Sequence, residues 1–380
     1  MVRWIVLRAP CPIESGDVGR MAPDMAAETT LVVESIPVSA IADLECDPQT
    51  IAAAPEMPTS LIEPFATPEI AGGDAWGLTA VGAHASSHDG RGARVAVLDT
   101  GIDANHPAFL GIALTQRDFT GMGDGDRHGH GTHCAGTIVG RDVGQRIGVA
   151  RGVTTLIVGK VLDDHGRGST MGALFGLQWA AASGAHVVSM SLGFDTLGLV
   201  ERLIADGWPE KLAVSVGLEA YRKNIRLFDA QLALFQAQRD FGFDPLVIAA
   251  AGNESRRQIE TRFRIAASLP AAAAGVVSVG ALGRTPAGLQ VADFSNTLPT
   301  LAAPGVNIVS AWPGGDLKAL NGTSMAGPHV AGVAALWWQA LGTDANAQTV
   351  TERLIGSATH AGFAAGYDHT DVGRGIVQAP

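Results

Sequence analysis

The chain has 380 residues, of which 47% are hydrophobic, 17% are charged and 48 are glycine. This composition excludes a disordered protein, which buries too little apolar surface to offset chain entropy, and a coiled coil, which is rich in charged helix formers. The net charge of −11, with no local cluster of lysine or arginine, offers no phosphate-binding surface, so nucleic acid is not an expected partner.

The cysteines and the N-terminal residues bear on redox state and compartment. Cys11, Cys46 and Cys134 form no CxxC pair, which predicts three thiols or at most one bridge, and no cysteine metal clamp. The N-terminal apolar run is too short for a signal peptide, and no uncharged apolar stretch approaches the roughly 20 residues of a membrane span. We therefore expect a soluble chain without a signal peptide or membrane contact, located in the cytoplasm or exported without a leader.

Residues 1–65 differ from the rest of the chain because they are poor in glycine and rich in proline. RWIVLRA and LVVESI are typical of strands, SAIADLECD of a helix, and IAAAPEM of a final extended piece. These elements predict a small α+β module, and a partly ordered leader is the alternative.

From about residue 75, nearly continuous apolar runs alternate with helix candidates. Such runs are typical of strands buried on both faces, as in a parallel sheet covered by helices. The predicted strands are 93–99, 155–162, 185–192, 245–252 and 275–282, and the clearest helices are 169–184 and 324–341. This order predicts a doubly wound, mostly parallel α/β domain with its sites at the carboxyl ends of the strands.

Residues 193–244 are more than the short loops and single helix expected of a crossover between strands. Within them, apolar residues recur at spacings of three and four, which predicts one long amphipathic helix. The residues of this pattern are Leu218, Tyr221, Ile225, Phe228, Leu232 and Phe235. The segment before the pattern, about 194–215, is then a helical insertion.

Three glycine-rich turns carry the residue types of nucleophilic catalysis. Asp99 ends a predicted strand in VLDTGID, His130 lies in GHGTHCAG, and Ser324 begins a predicted helix in NGTSMAGPHVAG. A serine hydroxyl needs a base to remove its proton, and that base needs a carboxylate to hold its tautomer. Taken singly, the aspartate is typical of a turn, the histidine of a structural residue and the serine of a helix cap. Together they predict an Asp-His-Ser triad.

These segments resemble the signature segments of the subtilisin-like serine proteases, the subtilases. The resemblance covers about residues 75–360 through KVLDDHGRGS, SMSLG, AAAGNES, DFSN and AAPGVNIVSAWPG, and GHGTHCAGT and KVLDDHG are similar to the proteinase K branch. It implies that Asp99 orients the base, that His130 is the general base and acid, and that Ser324 is the nucleophile. It also implies an oxyanion hole made by Asn253 and the backbone N–H of Ser324.

The resemblance further implies where a peptide binds. An extended peptide is expected to pair as an added strand with two edges, Ser191-Leu192-Gly193 and Gly166-Arg167-Gly168. Small residues that leave room for a large apolar side chain would line the primary pocket, and they are Ala250, Ala251 and Gly252. Glu254 is a candidate at the pocket rim, and a solvated glutamate is its alternative.

No cofactor is implied, and structural calcium is in doubt. Many subtilases have a calcium-binding aspartate after a His-Pro pair, but here His106-Pro107 is followed by Ala108. The loop RDVGQR offers one carboxylate, whereas calcium takes six or more oxygens, so we predict no metal ligands. His133 and His329 match histidines without a catalytic role in the family.

Residues 1–65 resemble the inhibitory propeptide of subtilases, which implies an intramolecular chaperone whose tail fills the cleft until it is cut. Residues 66–76 would be a linker and 77–380 the catalytic domain, with the cut between about Met57 and Gly77. The expected protein is a monomeric serine endopeptidase that prefers apolar residues in extended peptide or protein substrates.

The insertion at 194–215 follows one substrate edge, which predicts restricted access on the non-primed side and a selective processing role. A surface elaboration without effect on specificity is the alternative. A transpeptidase or macrocyclase on the same triad, and an inactive peptide-binding scaffold, are the competing functions.

Overall fold

The computed structural model describes residues 2–9, 29–66 and 75–380. Cys11 and most of the predicted linker, 67–74, lie outside these residues. Of the cysteines within them, Cys46 is exposed, Cys134 is buried, and both are free thiols. No helix in these ranges is both long enough and apolar enough to cross a bilayer.

Residues 2–9 and 29–57, here called the N-terminal module, form a small antiparallel sheet and a short helix. The elements are β1 (Val2–Arg8), β2 (Thr30–Ile36), α1 (Ile41–Cys46) and β3 (Thr50–Pro55). The strand order is β2-β1-β3, with β1 in the centre. Trp4 and Val6 pack with Leu44 of α1, whereas Ile5 and Leu7 point to the opposite face because side chains alternate along a strand.

Residues 75–380 form a large α/β domain, called the catalytic domain here because the sequence predicts that role for residues 77–380. Two short strands come first, β4 (Pro58–Leu61) and β5 (Phe65–Ala66). The domain itself contains α2 (Trp76–Ala80), β6 (Arg94–Asp99), β7 (Ala113–Asp118), α3 (His130–Val139), β8 (Thr155–Lys160), β9 (Arg167–Ser169), α4 (Thr170–Ala182), β10 (Val187–Met190), β11 (Leu192–Phe194), α5 (Thr196–Ala205), α6 (Glu210–Ala237), β12 (Leu246–Ala250), β13 (Val277–Thr285), β14 (Gly288–Val291), β15 (Leu301–Pro304), β16 (Ile308–Trp312), β17 (Asp316–Asn321), α7 (Thr323–Leu341), α8 (Ala347–Ser357) and α9 (His369–Val372).

The central sheet has the strand order β14-β13-β12-β10-β6-β8-β7, and β15 also pairs with β13. All of these pairs are parallel except β13 with β14. The predicted mostly parallel α/β fold is therefore confirmed, and each of the five predicted strands is present. β7 was not predicted, because this edge strand, ALTQRD, is polar and half exposed and so has no continuous apolar run.

Helices cover both faces of the sheet, which explains the continuous apolar runs in the sequence. Val95 and Val97 of β6 belong to the core cluster beneath α3 and α7. Ala96 and Leu98 of the same strand belong to the cluster beneath α4 and α6. A strand that buries both of its faces has no polar positions to show alternation.

The insertion consists of α5 and the beginning of α6, a 28-residue helix. This helix begins at Glu210, earlier than predicted, and Leu218 is 63% exposed, so its assignment to the buried face was wrong. The buried line in this half of α6 consists of small or polar residues, since the helix lies close to α5 and β3. A Cβ added to Gly217 would lie 2.7 Å from Cγ2 of Val200 on α5.

Candidate active site

The carboxyl end of β6 and the start of α3 bring a carboxylate and an imidazole together. Asp99 is the last residue of β6 and His130 is the first of α3, and both are buried. His130 Nδ1 lies 2.8 Å from Asp99 Oδ1, and Asp99 Oδ1 also accepts a hydrogen bond from the backbone N–H of Thr100. His130 Nε2 has no hydrogen-bond partner within the described part of the chain. The arrangement holds the imidazole by one nitrogen and leaves the other for proton transfer.

The Asp99–His130 pair favours the charged imidazolium. Burial by itself lowers the pKa of His130, but the charge and hydrogen bond of Asp99 outweigh it and raise that pKa well above its ordinary value. Burial raises the pKa of the neighbouring Cys134 thiol, which keeps the thiol neutral. The stabilising negative charge beside His130 is therefore that of Asp99.

Cys134 lies next to the Asp99–His130 pair. Its Sγ lies 3.7 Å from His130 Nδ1 and 3.4 Å from the carbonyl oxygen of Ser324. Potential metal-ligating atoms of Asp99, His130 and Cys134 lie within 4.8 Å of one another. Because the thiol is held neutral and Nδ1 is bound to Asp99, the cluster suits acid–base chemistry better than metal binding.

Ser324 lies at the start of α7, the central helix of the domain. It is the second residue of that helix, where backbone N–H groups lack an intrahelical acceptor and the helix dipole is positive. Its Oγ donates a hydrogen bond of 3.1 Å to the carbonyl oxygen of Ile62. The hydroxyl therefore faces a peptide carbonyl that belongs to the N-terminal part of the same chain.

Asn253 follows β12, and its amide is oriented by the residue before the serine. Its Oδ1 accepts hydrogen bonds of 2.9 Å from both the backbone N–H and Oγ1 of Thr323. Nδ2 consequently faces the other way and donates to the carbonyl oxygen of Glu63 at 2.9 Å. Gly252 before it has φ of +114°, and a Cβ there would lie 2.2 Å from Asn296 Nδ2, so glycine is required.

A single extended segment of the chain fills the cleft. β4 lies antiparallel between β11 and β9, with Leu61 opposite Leu192 and Thr59 opposite Gly168. Two hydrogen bonds continue the ladder, from Leu61 N to Gly166 O at 2.7 Å and from Ile62 N to Ser191 O at 3.5 Å. The edges that the sequence analysis assigned to substrate, including Gly193, are the edges that β4 joins.

The segment continues past the serine to the other side of the cleft. β5 pairs with β17, with Phe65 opposite Asn321. Ser324 Oγ and Asn253 Nδ2 thus contact successive carbonyls, those of Ile62 and Glu63. Residues 58–66 thus pass the predicted nucleophile, Ser324, and the predicted oxyanion donor, Asn253, as one extended segment.

The model of the subtilase family matches residues 90–375, a range that holds all three candidate triad residues. The chain belongs to the subtilase family. The resemblance seen in the motifs is confirmed by this match.

Relatives with assigned names are similar to this subtilase over most of its length. A cuticle-degrading serine protease of Arthrobotrys oligospora is 33% identical over 281 residues, which cover 71% of this chain and 57% of the relative. Subtilisin E of Bacillus subtilis is 34% identical over 301 residues, or 77% of this chain and 66% of the relative. Subtilisin of Bacillus pumilus is also 34% identical over 301 residues, or 77% and 92% of the two chains. The chain thus spans 57 to 66% of the length of the first two relatives.

The residues around Ala108, where many subtilases have a calcium-binding aspartate, do not fit a divalent cation. Ala108 is buried and offers no side-chain oxygen, and its carbonyl accepts from the backbone N–H of Arg141. Guanidinium groups take the nearby carbonyls: Arg141 donates to Val153 O at 2.9 Å, and Arg146 donates to Val149 O at 3.0 Å. Cationic side chains here oppose a hard cation, which needs several free oxygens.

His133 and His329 are buried and neutral. Nε2 of His133 lies 3.0 Å from the carbonyl oxygens of Ile308 and Lys318, and burial lowers its pKa to about 3. Nδ1 of His329 lies 2.8 Å from the carbonyl oxygen of Met325, and burial lowers its pKa to about 4. The side chain of His133 thus links α3 to β16 and β17, whereas that of His329 bonds within α7.

The remaining pocket candidates are held by side-chain hydrogen bonds. Glu254 accepts from Asn296 Nδ2 at 2.6 Å, and the same amide donates to the carbonyl oxygen of Ala251. The backbone N–H of Gly252 donates to Thr323 Oγ1 at 3.1 Å. These bonds fix the backbone that leads to Asn253.

Sequence reasoning missed three residues of the site. Thr323 orients Asn253, and its place immediately before the serine was the only signal. Asp126 lies four residues before His130 and binds the backbone around it. Ile62 stands in PTSLIEPFA, which contains no motif, so only the pairing of β4 reveals it.

Proposed function

We propose that this subtilase is a serine endopeptidase that hydrolyses extended peptides with Ser324 as the nucleophile. One observation carries the proposal. The Ser324 hydroxyl and the Asn253 amide both contact the backbone of one extended segment, next to a buried Asp99–His130 pair whose Nε2 has no partner among the described residues. This is the set of groups that acyl transfer through a serine requires.

In the acylation half of the reaction, His130 Nε2 accepts the proton of Ser324 as Oγ attacks the carbonyl carbon. Asp99 holds the Nδ1–H and stabilises the imidazolium that forms. The negative oxygen of the tetrahedral intermediate is bound by Asn253 Nδ2 and the backbone N–H of Ser324.

The intermediate then collapses. The C–N bond breaks, His130 donates its proton to the leaving amine, and the acyl group remains on Ser324. A water molecule, deprotonated by His130, attacks the ester carbon and releases the acid, which restores the serine hydroxyl. Each proton that His130 takes is returned within the same half-reaction.

Labelling with a fluorophosphonate and mass analysis of peptide products test this proposal. An adduct on the Ser324 peptide is expected, together with pairs of products whose masses add up to that of the substrate plus one water. An inactive scaffold would give no adduct, and a transpeptidase would give joined peptides without added water. Asn253→Ala should lower kcat by about 100- to 1,000-fold, because one oxyanion donor is lost.

We also propose that the N-terminal module is an intramolecular inhibitor and that the enzyme cuts its own chain after Ile62. The contacts of β4 with both substrate edges support inhibition, and the 3.1 Å bond of Ser324 Oγ to Ile62 O supports this position. The next bond, Glu63–Pro64, contacts Asn253 by its carbonyl, but its leaving nitrogen lies in a proline ring.

Binding of a labelled apolar peptide tests the inhibition. In a Ser324→Ala chain, Leu61→Asp should weaken β4, since Leu61 is 4% exposed, and raise the peptide affinity about 10-fold or more. Ile51→Asp, at a position of β3 that is 48% exposed, is the matched control and should leave the affinity unchanged. Equal affinities in all three chains would contradict the proposal.

A preference for aliphatic residues is part of the proposal, because Leu61 and Ile62 are both buried in the cleft.

The insertion begins beside the first residue of β4, where the backbone N–H of Asp195 donates to Pro58 O at 3.0 Å. We propose that α5 restricts the non-primed side and so favours selective processing. Replacing residues 196–205 by a glycine linker should broaden the cleavage profile on a peptide library. An unchanged profile would contradict the proposal that α5 restricts the non-primed side.

A further inference from the structure

Asp126 is a buried carboxylate in the loop before α3, and it accepts five hydrogen bonds. Its Oδ1 accepts from Thr100 Oγ1 at 2.9 Å and from the backbone N–H groups of His128 and Gly129 at 3.1 and 2.7 Å. Its Oδ2 accepts from the backbone N–H and Oγ1 of Thr132 at 2.8 and 2.7 Å. The side chain is 8% exposed, so these bonds replace its hydration.

The donors are the chain neighbours of the proposed acid–base pair. Thr100 follows Asp99 directly, and Gly129 precedes His130 directly. Thr100 Oγ1 also accepts from the backbone N–H of Gly131 at 2.9 Å, on the other side of the histidine. Asp126 and Thr100 together therefore bind the backbone on both sides of His130 and connect it to the end of β6.

Lys160 extends the same network with a positive charge. Its ammonium is buried and donates to the carbonyl oxygens of Thr100 and Gly125 at 2.7 and 3.2 Å. Its third bond, of 2.7 Å, goes to Asp164 Oδ1. The two backbone segments that Asp126 joins through its side chain are thus joined a second time through their carbonyls.

We propose that Asp126, acting through Thr100, is a positioning residue that sets the geometry of the Asp99–His130 pair and thereby the rate of proton transfer, without contributing to substrate binding. This proposal rests on the proposed triad. A small misplacement of a catalytic base lowers the reaction rate by a large factor. The position of the base is kept when the residues around it are themselves held by hydrogen bonds.

The deciding comparison is Thr100→Val against Thr100→Ser in the full chain. Valine has the shape of threonine but lacks the hydroxyl that joins Asp126 to Gly131, whereas serine keeps it. Thr100→Val should lower kcat by at least about fivefold with KM unchanged within about twofold, and Thr100→Ser should restore kcat. The acid limb of kcat/KM should move to lower pH in Thr100→Val, because a looser bond to Asp99 raises the pKa of His130 less.

Asp126→Asn gives the larger effect, a fall in kcat of about 10- to 100-fold, since an amide N–H₂ would face backbone donors. Asp124→Asn, an exposed carboxylate of the same loop, is the matched control and should behave as wild type. Thermal melts of each variant give the folded fraction to which kcat is normalised. If Asp126→Asn does not fold, the two Thr100 variants decide alone.

The outcomes are distinguishable. Thr100→Val with wild-type kcat and an unmoved acid limb would overturn the positioning role, even if its melting temperature falls, because a merely structural residue would behave in that way. A rise in KM at constant kcat would overturn it as well. A wild-type chain that neither hydrolyses peptides nor reacts with a fluorophosphonate would remove the proposed function itself, and this inference with it.

Discussion

The N-terminal module and the catalytic domain differ in where their cores come from. The catalytic domain buries both faces of its own sheet beneath its own helices. Among the described residues, the module has a small cluster of its own, in which Trp4, Val6 and Leu44 are buried and partly buried apolar residues of β2, α1 and β3 pack against them. Its other face, with Ile5 and Leu7, is buried in the cluster that belongs to α4 and α6 of the catalytic domain. A sheet this small depends on its partner for half of its burial, so the two regions are not independent in stability.

Polar contacts at the same interface come from α6. Lys223 Nζ pairs with Glu45 of α1 and lies 5.1 Å from the ring centroid of Trp4. Asn224 Nδ2 donates to the carbonyl oxygen of Pro55 at 3.0 Å. The long helix thus supplies both apolar and polar contacts to the module.

The largest expected effect is a loss of catalysis in the catalytic domain that leaves the stability of the chain nearly unchanged. Ser324→Ala should lower kcat by about 10⁶-fold, because the proposed nucleophile of acyl transfer is lost. Because the side chain only loses its hydroxyl, the melting temperature should change little. Peptide turnover and a thermal melt measure the two effects. A variant that keeps more than about a thousandth of the activity would contradict the assignment of the nucleophile.

A second change tests the shared core. In the Ser324→Ala chain, Ile5→Ala should weaken docking of the module by about 2–5 kcal/mol, because Ile5 is fully buried against the catalytic domain. Hydrogen exchange of β1 and β3 amides measures the loss. Val33→Ala, in which the valine is 36% exposed, is the control and should change exchange by less than about 0.5 kcal/mol. Equal effects at both positions would mean that the module stabilises itself.

A third prediction concerns acid. His133 and His329 of the catalytic domain have pKa values of about 3 and about 4, whereas residues 1–65 contain no histidine. In the unfolded chain the pKa of histidine is near 6.5, so these side chains bind protons there that they do not bind in the folded chain. Stability is therefore lost as pH falls below about 6.5. At pH 5 the loss should be on the order of 2 kcal/mol for each histidine, measured by denaturant unfolding of the Ser324→Ala chain. His329→Gln should remove the contribution of one histidine to this pH dependence. An unchanged slope of unfolding free energy against pH would contradict this prediction.

The smallest expected effect concerns helix ends. Asn346 caps α8 in a capping box with Thr349, whereas α1 of the module has no side-chain cap. Asn346→Ala should cost about 1 kcal/mol of unfolding free energy, because one helix N–H loses its acceptor. Denaturant unfolding of the Ser324→Ala chain measures it, and Gln348→Ala on the same helix is the control. A cost equal to that of the control would show that the cap contributes nothing.

The sequence predicted the parts of the molecule that local patterns encode. The five buried strands follow from their apolar runs, and Asp99, His130 and Ser324 follow from glycine-rich turns at the ends of strands and helices. The start of α6 could not be predicted, because its buried line there is Ala213, Gly217 and Ala220, while exposed positions are apolar. A helix that packs closely buries small residues, and small residues give no amphipathic signal.

Contacts between distant segments of the chain could not be predicted from the sequence either. The hydrogen bonds of Asn253 to Thr323 join residues 70 positions apart, and that of Ser324 to Ile62 spans 262. The resemblance implied that the tail of residues 1–65 fills the cleft, but nothing in the composition of residues 58–66 shows which of them lie at Ser324 and Asn253. Their place follows from strand pairing with β9 and β11, which is a property of the folded chain.

The mass of the purified chain tests the central claim most directly. Wild-type protein and Ser324→Ala are incubated side by side at neutral pH, and fragments are identified by intact mass and N-terminal sequencing. We expect a wild-type fragment that begins at Glu63 and a Ser324→Ala chain that stays whole. A wild-type chain that remains intact while it hydrolyses peptides, or a Ser324→Ala chain cut at the same bond, would contradict it.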